Sequence, residues 1–522
     1  MRLETNWGAE DMPDEVAGEL GRAARGGAIA LIGLIASAIF GFLTRAIVGR
    51  VYGPEQYGVY NLAFTVFTIT LIVVMMGFPM GMQRQVSYFL SKKPEKVKEL
   101  IGTALTLILI TSTLGMVVLE VLRGALPKYI GGDGLLKELL EILAISLPIS
   151  ATLSVLISIS QGFKRVREYT IYGKIIAPLL YTLLIALTGV ILNMPIHYIV
   201  GAYVISQGIT LTLVIRDLKV AGILPGKPYF SGRMARAIVL FSIPLMMSGI
   251  INLVMTWTDT LMLGHYLSSD IVGIYNAAAP LARFIPVFLS AMTVIYNPIV
   301  TRFYTEGRVQ EISEFYSAIT KWILLLTFPL FLLLFTYPKA VITALFGVKY
   351  VEAWKPLMVL SAGFLVHSIV GPNGLTLISI GKPSKEMTGN LLGAIINVVL
   401  NTTLIPLYGM MGASIATASA YVVANVYKLS VLRRYGISPF SASYTKTLIL
   451  GTVITAVALT TSTSNIFIAL GLTGVFTIGF YALCLITGTF EQRDIEIIRI
   501  ASERFNLNLE RVITLMEKLE RK

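Results

Sequence analysis

The chain has 522 residues, of which 55% are hydrophobic and only 14% are charged, and its formal net charge is +13 at pH 7. Ordinary soluble domains carry about 25% charged residues, so this composition excludes a large soluble core. The basic residues are dispersed over many short loops and form no contiguous basic domain, which argues against a nucleic-acid partner.

Long apolar stretches fill the chain from about Gly27 to Gly488. A helix needs roughly 20 apolar residues to cross a hydrocarbon core about 30 Å thick, whereas barrel strands are short and alternate in polarity. We therefore predict an all-α polytopic membrane protein with about 14 transmembrane helices. In chain order the predicted spans cover residues 27–49, 59–82, 99–122, 139–161, 170–192, 196–215, 237–263, 273–298, 318–337, 354–379, 386–406, 410–431, 444–463 and 466–488.

The segment before the first span is acidic rather than basic, and the apolar run after it is too long for a cleaved signal peptide. Loops after the even-numbered spans carry more Lys and Arg than the loops on the opposite side. By the positive-inside bias these richer loops are cytoplasmic. We therefore predict a multi-pass protein of the cell (plasma) membrane with both termini in the cytoplasm.

A short motif occurs twice, which indicates an internal duplication. Gly58–Asn61 reads GVYN and Gly273–Asn276 reads GIYN, and a glycine precedes each copy by nine residues, at Gly49 and Gly264. Each copy follows the first span of a six-span half, so both halves start on the same side of the membrane. The sequence therefore predicts two parallel-repeat six-helix lobes around a central cavity, plus two extra helices.

This organisation divides the chain into six predicted parts. They are a cytoplasmic N-terminal segment (1–26), an N-lobe (27–215), a cytoplasmic inter-lobe linker (216–236), a C-lobe (237–431), spans 13 and 14 (444–488) and a cytoplasmic amphipathic helix (489–522). Prolines inside the spans, among them Pro286 and Pro372, predict kinked helices suited to a bundle that opens on either side.

Ionisable residues within spans are costly in lipid and usually face the bundle interior or water. Arg283 lies near the predicted midplane of span 8, and we expect it to line a substrate cavity and hold an anionic group. Arg45 and Asp259 lie near the outer ends of spans 1 and 7, which the duplication makes equivalent. We expect Arg45 and Asp259 to close the outer side of the cavity, with Asp259 or Arg45 as the gate or ion-coupling residue.

Polar residues on the same helix faces complete the predicted site. Asn276 precedes Arg283 by seven residues, and Asn252 precedes Asp259 by seven, so both are candidate cavity residues. The sequence has no GxxxxGK[ST] loop and no room for an extramembrane catalytic domain, so we predict a transporter rather than an enzyme. Its single cysteine and scattered histidines predict no metal site, and no cofactor is expected.

The chain resembles the polysaccharide-biosynthesis, Wzx-like branch of the multidrug/oligosaccharidyl-lipid/polysaccharide exporter superfamily. The residues that carry the resemblance are Gly49, the segment Gly53–Asn61 after span 1 and the segment Gly409–Thr417 opening span 12, together with the twelve-plus-two span plan. The resemblance implies two six-helix lobes around a cavity that flips lipid-linked sugars by alternating access. It also implies cationic cavity residues on the first, second and eighth spans, which Arg45, Arg84 and Arg283 match.

The implied substrate is a lipid-linked oligosaccharide or polysaccharide precursor carrying a phosphate or diphosphate, moved from the cytoplasmic to the outer leaflet. Membrane lipid is the second expected partner, glycosyltransferases or polymerases are candidate protein partners, and a monomer is expected. The alternative function is a multidrug or organic-cation antiporter of the same superfamily, in which Asp259 would bind the coupling ion or the drug. A third hypothesis is a scaffold that recruits glycosylation enzymes without transport.

Overall fold

The structure is a computed structural model that describes residues 14–225, 229–491 and 494–495. Within these ranges the regular structure is helical and contains no β-strand, which confirms the predicted all-α class. Eleven helical stretches in this part of the chain are long and apolar enough to cross a bilayer, or twelve when one bent pair is counted as a span. The predicted N-terminal segment up to residue 13 and the predicted tail helix from residue 496 lie outside the described residues.

The helices are α1 (Asp14–Met75), α2 (Phe78–Lys92), α3 (Val97–Leu122), α4 (Leu126–Ile130), α5 (Asp133–Gly162), α6 (Val166–Thr170), α7 (Ala177–Ile185), α8 (Ile196–Val220), α9 (Gly232–Tyr266), α10 (Ser269–Ala282), α11 (Val287–Thr305), α12 (Val309–Thr336), α13 (Pro338–Phe346), α14 (Trp354–Ile369), α15 (Asn373–Ser379), α16 (Pro383–Tyr408), α17 (Met410–Arg433), α18 (Ala442–Ala458) and α19 (Ile466–Ile486). Two π-helical segments, Ile171–Ile176 and Ala186–Ile191, flank α7.

Every predicted span overlaps helical structure, and the described residues contain fewer separate stretches of spanning length than the 14 predicted. The first two predicted spans belong to one helical stretch, Ile32–Lys92, and predicted span 13 corresponds to the shorter apolar helix α18. Inside α1 the backbone leaves the helical conformation at Gly53, whose φ is 76°, just before Pro54. Glycine adopts this left-handed conformation without a steric penalty, so the kink is built into the sequence. The count of 14 stays a prediction.

Prolines interrupt two of the predicted spans. Span 8 is broken at Arg283–Pro286 into α10 and α11, which are bent by 44°. Span 10 is broken where Gly371 (φ 66°) and Pro372 separate α14 from α15. Both breaks occur where proline removes a backbone donor, as the sequence predicts.

The helices form two compact units, and the first comprises Met1–Thr44, Thr70–Leu119 and Ile142–Met246. Its buried core contains apolar side chains from α2, α3, α5, α8 and α9, among them Phe78, Met82, Ile101, Leu156, Leu218 and Ile238. At one end of this unit Arg165 forms an ion pair with Asp217, at 2.9 Å, which ties the loop after α5 to the last turns of α8.

The second unit comprises Arg45–Ile69, Glu120–Glu141 and Met247–Lys522. Its boundaries differ from the predicted lobes, because two segments of the predicted N-lobe group with the C-terminal half of the chain. The six-span lobes therefore stay a prediction.

A buried ion pair in the second unit fixes the residues that follow α19. Lys321 of α12 lies 2.5 Å from Asp494, and both side chains are buried. Lys321 also donates to the Thr489 carbonyl oxygen, and Trp322 Nε1 donates to the Asp494 carboxylate at 2.9 Å. Because a charge buried without a partner is expensive, this arrangement holds the start of the tail against α12.

Candidate functional site

The two copies of the repeated motif lie directly against each other within the second unit. Gly58 of α1 faces the Ser269 carbonyl oxygen and the Gly273 nitrogen, and Gly273 of α10 faces the Pro54 carbonyl oxygen and the Gly58 nitrogen. A Cβ atom added at either glycine would overlap backbone atoms of the other helix. Glycine therefore permits the close approach of α1 and α10, and we call this contact the glycine crossing.

Hydrogen bonds surround the glycine crossing. Tyr57 Oη donates to the Asn276 carbonyl oxygen at 3.3 Å, and Tyr350 Oη donates to the Gly49 carbonyl oxygen at 2.8 Å. Arg50 donates to the Leu345 carbonyl oxygen at 2.8 Å and also to the Ala344 carbonyl oxygen, near the end of α13. These bonds join residues 49–58 to the C-terminal half of the chain.

Local hydrogen bonds agree between the two copies. Asn61 donates to the Tyr57 carbonyl oxygen at 2.6 Å, and Asn276 donates to the Val272 carbonyl oxygen at 2.9 Å, each four residues back along its helix. The same side chain makes the same bond in both motifs, which supports the predicted duplication.

Asp259 of α9 is the centre of a buried polar group, here called the Asp259 cluster. Its Oδ2 accepts hydrogen bonds from Tyr275 Oη at 2.5 Å and Thr417 Oγ1 at 2.6 Å. Its Oδ1 accepts from Asn401 Nδ2 at 2.8 Å and from Asn397 Nδ2 at 3.3 Å. The residue is 1% exposed. Four neutral donors therefore stabilise one carboxylate, and the helices α9, α10, α16 and α17 are joined through it.

One oxygen of the Asp259 cluster has no partner. Asn401 Oδ1 is buried and accepts no hydrogen bond within the described residues. A buried acceptor left unpaired is costly, and this one belongs to the amide whose Nδ2 donates to the Asp259 carboxylate. One negative charge with neutral oxygen donors is a ligand set that suits a hard cation of low charge. No group of three or more His, Cys, Asp or Glu residues able to hold a metal occurs in the described part of the chain.

Arg283 lies at the break between α10 and α11. Its Nη2 donates to the Thr256 carbonyl oxygen of α9 at 2.6 Å, and its guanidinium interacts electrostatically with Tyr275 and Tyr421. The side chain is half-buried, and it forms no ion pair with any described carboxylate. An arginine inside a predicted span thus has no acidic partner among the described residues, as expected for a residue that meets an anionic group.

The other predicted site residues lie in different surroundings. Arg45 is half-buried on α1 and interacts electrostatically with Tyr57, and it makes no ion pair with Asp259 in the described structure. Asn276 is 3% exposed and accepts from Thr260 Oγ1 at 3.3 Å, so it links α9 to α10. Arg84 of α2 is exposed, with its guanidinium 4.6 Å from the centre of the Phe241 ring. The side chain of Asn252 lies outside the described residues.

The structure thus brings Asp259, Arg283 and Asn276 together, along α9 and α10. The sequence analysis did not anticipate that Tyr275 and Thr417 complete the Asp259 cluster, and it did not single out Lys321 or Lys428. Both lysines lie inside predicted spans, so the criterion that selected Arg283 applies to them as well.

Comparison with known proteins assigns the family. The model of the polysaccharide biosynthesis protein family matches residues 23–304, more than half of the chain. The chain belongs to the polysaccharide biosynthesis protein family. The MatE family model matches residues 244–403, which include α10, α11 and most of α16. The resemblance inferred from the sequence is thereby confirmed.

One relative in sequence and two solved structures are consistent with this family assignment. The probable low-salt glycan biosynthesis flippase Agl15 of Haloferax volcanii is 24% identical over 402 residues, 76% of this chain and 81% of that protein. The lipid II flippase MurJ, in an inward closed conformation, superimposes with a TM-score of 0.69 at 16% identity, over 87% of this chain and 98% of that chain. An inward-facing MATE family multidrug transporter superimposes with a TM-score of 0.63 at 16% identity, over 78% and 98%. The two solved structures establish a shared fold.

Proposed function

We propose that this family member flips a lipid-linked oligosaccharide or polysaccharide precursor from the cytoplasmic to the outer leaflet of the plasma membrane by alternating access. Its termini are cytoplasmic in this proposal, as the distribution of basic loops predicts. The family assignment, the flippase relative and the shared transporter fold support it. The substrate carries a phosphate or diphosphate, and it is transported without chemical change.

The observation that carries this proposal is the charge of Arg283. A guanidinium inside the membrane that pairs with no carboxylate of the described residues attracts an anion, and its planar donors match phosphate oxygens. Arg283 lies at the break between α10 and α11, and its side chain is only half-buried there. Arg45 and Arg84 supply further positive charge in the proposal. Asn252 is a further candidate cavity ligand, and so is Asn276 if α9 and α10 separate.

Alternating access requires an element that closes one side. The glycine crossing and the Arg50 bonds lie at the helix ends predicted to face outward, and we infer that they close that side. Arg45 and Asp259 remain the proposed gate or coupling residues. The glycine crossing is a further contact on this side, between the backbones of α1 and α10. This contact breaks only if α1 and α10 separate.

We infer further that the Asp259 cluster couples transport to a monovalent cation. Asp259, Asn401 and Thr417 would hold the ion, whose positive charge balances the negative charge of the carboxylate among its neutral donors. Binding would draw the oxygen atoms of α9, α16 and α17 together. Transport measured with sodium, potassium and proton gradients tests this. Asp259→Asn should abolish the gradient dependence while the protein remains folded.

The test of substrate class uses purified protein in vesicles loaded with fluorescent lipid-diphosphate sugar. Arg283→Ala should lower the flipping rate by about 10- to 150-fold, because a charge-assisted hydrogen bond is worth about 1.5–3 kcal/mol, while Arg283→Lys should retain part of it. Arg302→Ala is the matched control, since Arg302 lies on α11 with 70% of its side chain exposed. Full flipping by folded Arg283→Ala would overturn the phosphate role.

The second candidate function is an organic-cation antiporter. The MatE match and the buried Asp259 favour it, whereas the charge of Arg283 repels a cation. A cationic dye in the same vesicles separates the two functions. We expect the vesicles to show transport of the lipid-linked sugar and no transport of the dye. In this proposal the protein is a monomer, and glycosyltransferases or polymerases are its partner enzymes.

A further inference from the structure

A polar cavity of about 370 Å³ lies within the second unit, beside the Asp259 cluster. Its walls come from α9, α11, the break between α14 and α15, α16 and α17. Met255 precedes Asp259 by four residues on α9, and Tyr421 follows Thr417 by four on α17, so the cavity begins one helical turn from the cluster. Its volume falls in the range of about 300–1,000 Å³ that is typical of ligand pockets.

One wall of this cavity carries charges of both signs. Lys428 Nζ lies 3.4 Å from Glu386 Oε1 and donates to Asn390 Oδ1 at 2.6 Å, while Asn390 Nδ2 donates to the same Glu386 oxygen at 2.5 Å. The side chain of Lys428 is 7% exposed and that of Glu386 is 23% exposed. The charges cancel, so the wall is strongly polar but carries no net charge.

Hydrogen-bonding capacity remains free on this wall. Lys428 has three N–H donors and uses two, and Glu386 Oε2 accepts no hydrogen bond from a described residue. Tyr421 Oη likewise makes no hydrogen bond within the described part of the chain. The cavity thus offers both donors and acceptors to a ligand.

Aromatic rings and amides also line the cavity. The rings of His367 and Tyr421 have their centres 5.0 Å apart and are inclined by 45°, so the Tyr421 ring is the aromatic surface available for stacking. Asn373 Nδ2 donates to Asn425 Oδ1 at 2.9 Å, and both amides are nearly fully buried. Arg283 interacts electrostatically with Tyr421, so the cavity adjoins the proposed phosphate site.

We propose that this cavity binds a sugar unit of the lipid-linked substrate, an inference that rests on the proposed function. A diphosphate would meet the carboxylate of Glu386, and an organic cation would meet the ammonium of Lys428, so both are disfavoured by like charge. A neutral sugar avoids both conflicts. Each of its hydroxyls donates and accepts, which matches the free groups of Lys428, Glu386 and Tyr421. Its apolar face can stack on the Tyr421 ring.

The test compares short-chain probes that share one lipid and one diphosphate. The probes are farnesyl diphosphate and its conjugates with N-acetylglucosamine, glucose, galactose or mannose, and their affinity for the purified protein is measured. We expect at least one conjugate to bind more tightly than farnesyl diphosphate. Tyr421→Phe and Asn390→Ala should each lower the affinity for that conjugate by about threefold to tenfold and leave the affinity for farnesyl diphosphate unchanged.

Two control variants match these changes. Tyr427→Phe makes the same substitution on α17 outside the cavity, and Asn297→Ala removes an exposed amide that accepts from Ser379 on α15. Neither control should alter the preference for the conjugate. The proposal is overturned if no conjugate binds better than farnesyl diphosphate, or if the cavity variants weaken all probes equally. Failure of every probe to bind, farnesyl diphosphate included, would instead count against the proposed function.

Discussion

The glycine crossing makes a quantitative prediction about gating. In Gly58→Ala the added methyl group would overlap the Ser269 carbonyl oxygen and lie 3.0 Å from the Gly273 nitrogen. Because both are backbone atoms, no side-chain rotation relieves the overlap, and α1 must move away from α10. Overpacking of this kind costs about 1–3 kcal/mol. Acting on the closed state alone, it lowers the closed-to-open ratio by about 5- to 150-fold. Gly273→Ala should act similarly, through the Pro54 carbonyl oxygen.

Spin labels can measure this change. The only cysteine, Cys484, is buried in α19, so reporter cysteines introduced at the exposed positions Gln56 and Ser268 would be labelled selectively. Distances between the two labels, from pulsed electron resonance, should shift toward longer values in Gly58→Ala. Gly474→Ala is the control, because no atom lies within 4 Å of the added methyl group. An unchanged distance distribution in folded Gly58→Ala would refute the role of the crossing.

Three further predictions concern stability and closure. Asp259→Ala leaves four donors without an acceptor, and each unsatisfied group costs about 1–3 kcal/mol. The thermal unfolding temperature of Asp259→Ala in detergent should therefore lie well below that of Asp259→Asn. Equal unfolding temperatures would contradict this. Lys321→Met leaves the buried Asp494 carboxylate unpaired and should lower the free energy of unfolding by about 3–5 kcal/mol. The double variant Lys321→Met/Asp494→Leu removes both charges and should lower it by less. Unfolding in urea measures both changes. Arg50→Gln removes two hydrogen bonds to the end of α13. The distance between the labels at positions 56 and 268 should therefore increase, but by less than in Gly58→Ala. A larger increase than in Gly58→Ala would contradict this prediction.

The sequence predicts where helices lie along the chain better than it predicts which way their side chains point. Apolar length located every described helix that is long and apolar enough to cross a bilayer, and the prolines marked the breaks at Pro286 and Pro372. Asp259 and Arg283 could be singled out because charge is rare in spans. The partners of Asp259 could not be identified, since Tyr275, Asn401 and Thr417 come from three helices whose rotation depends on packing.

The compact units show a second limit. A parallel repeat predicts two lobes that follow chain order, yet Arg45–Ile69 and Glu120–Glu141 group with the C-terminal half. Close packing at Gly58 depends on the partner helix α10, which periodicity within α1 cannot reveal. The repeated GVYN and GIYN motifs were recognised, but nothing in either copy indicated that they contact each other.

A hydrogen bond between two threonine hydroxyls in the first unit corresponds in position to the bond between Asp259 and Asn397. Thr44 and Thr182 bond at 3.0 Å between the first and fifth predicted spans, the same pair of spans that Asp259 and Asn397 join in the second half. If the halves descend from one ancestor, the two bonds have diverged into an inert version and an ionic one. Only the second version contains a charged side chain, so under the proposed coupling the cation binds in one repeat alone.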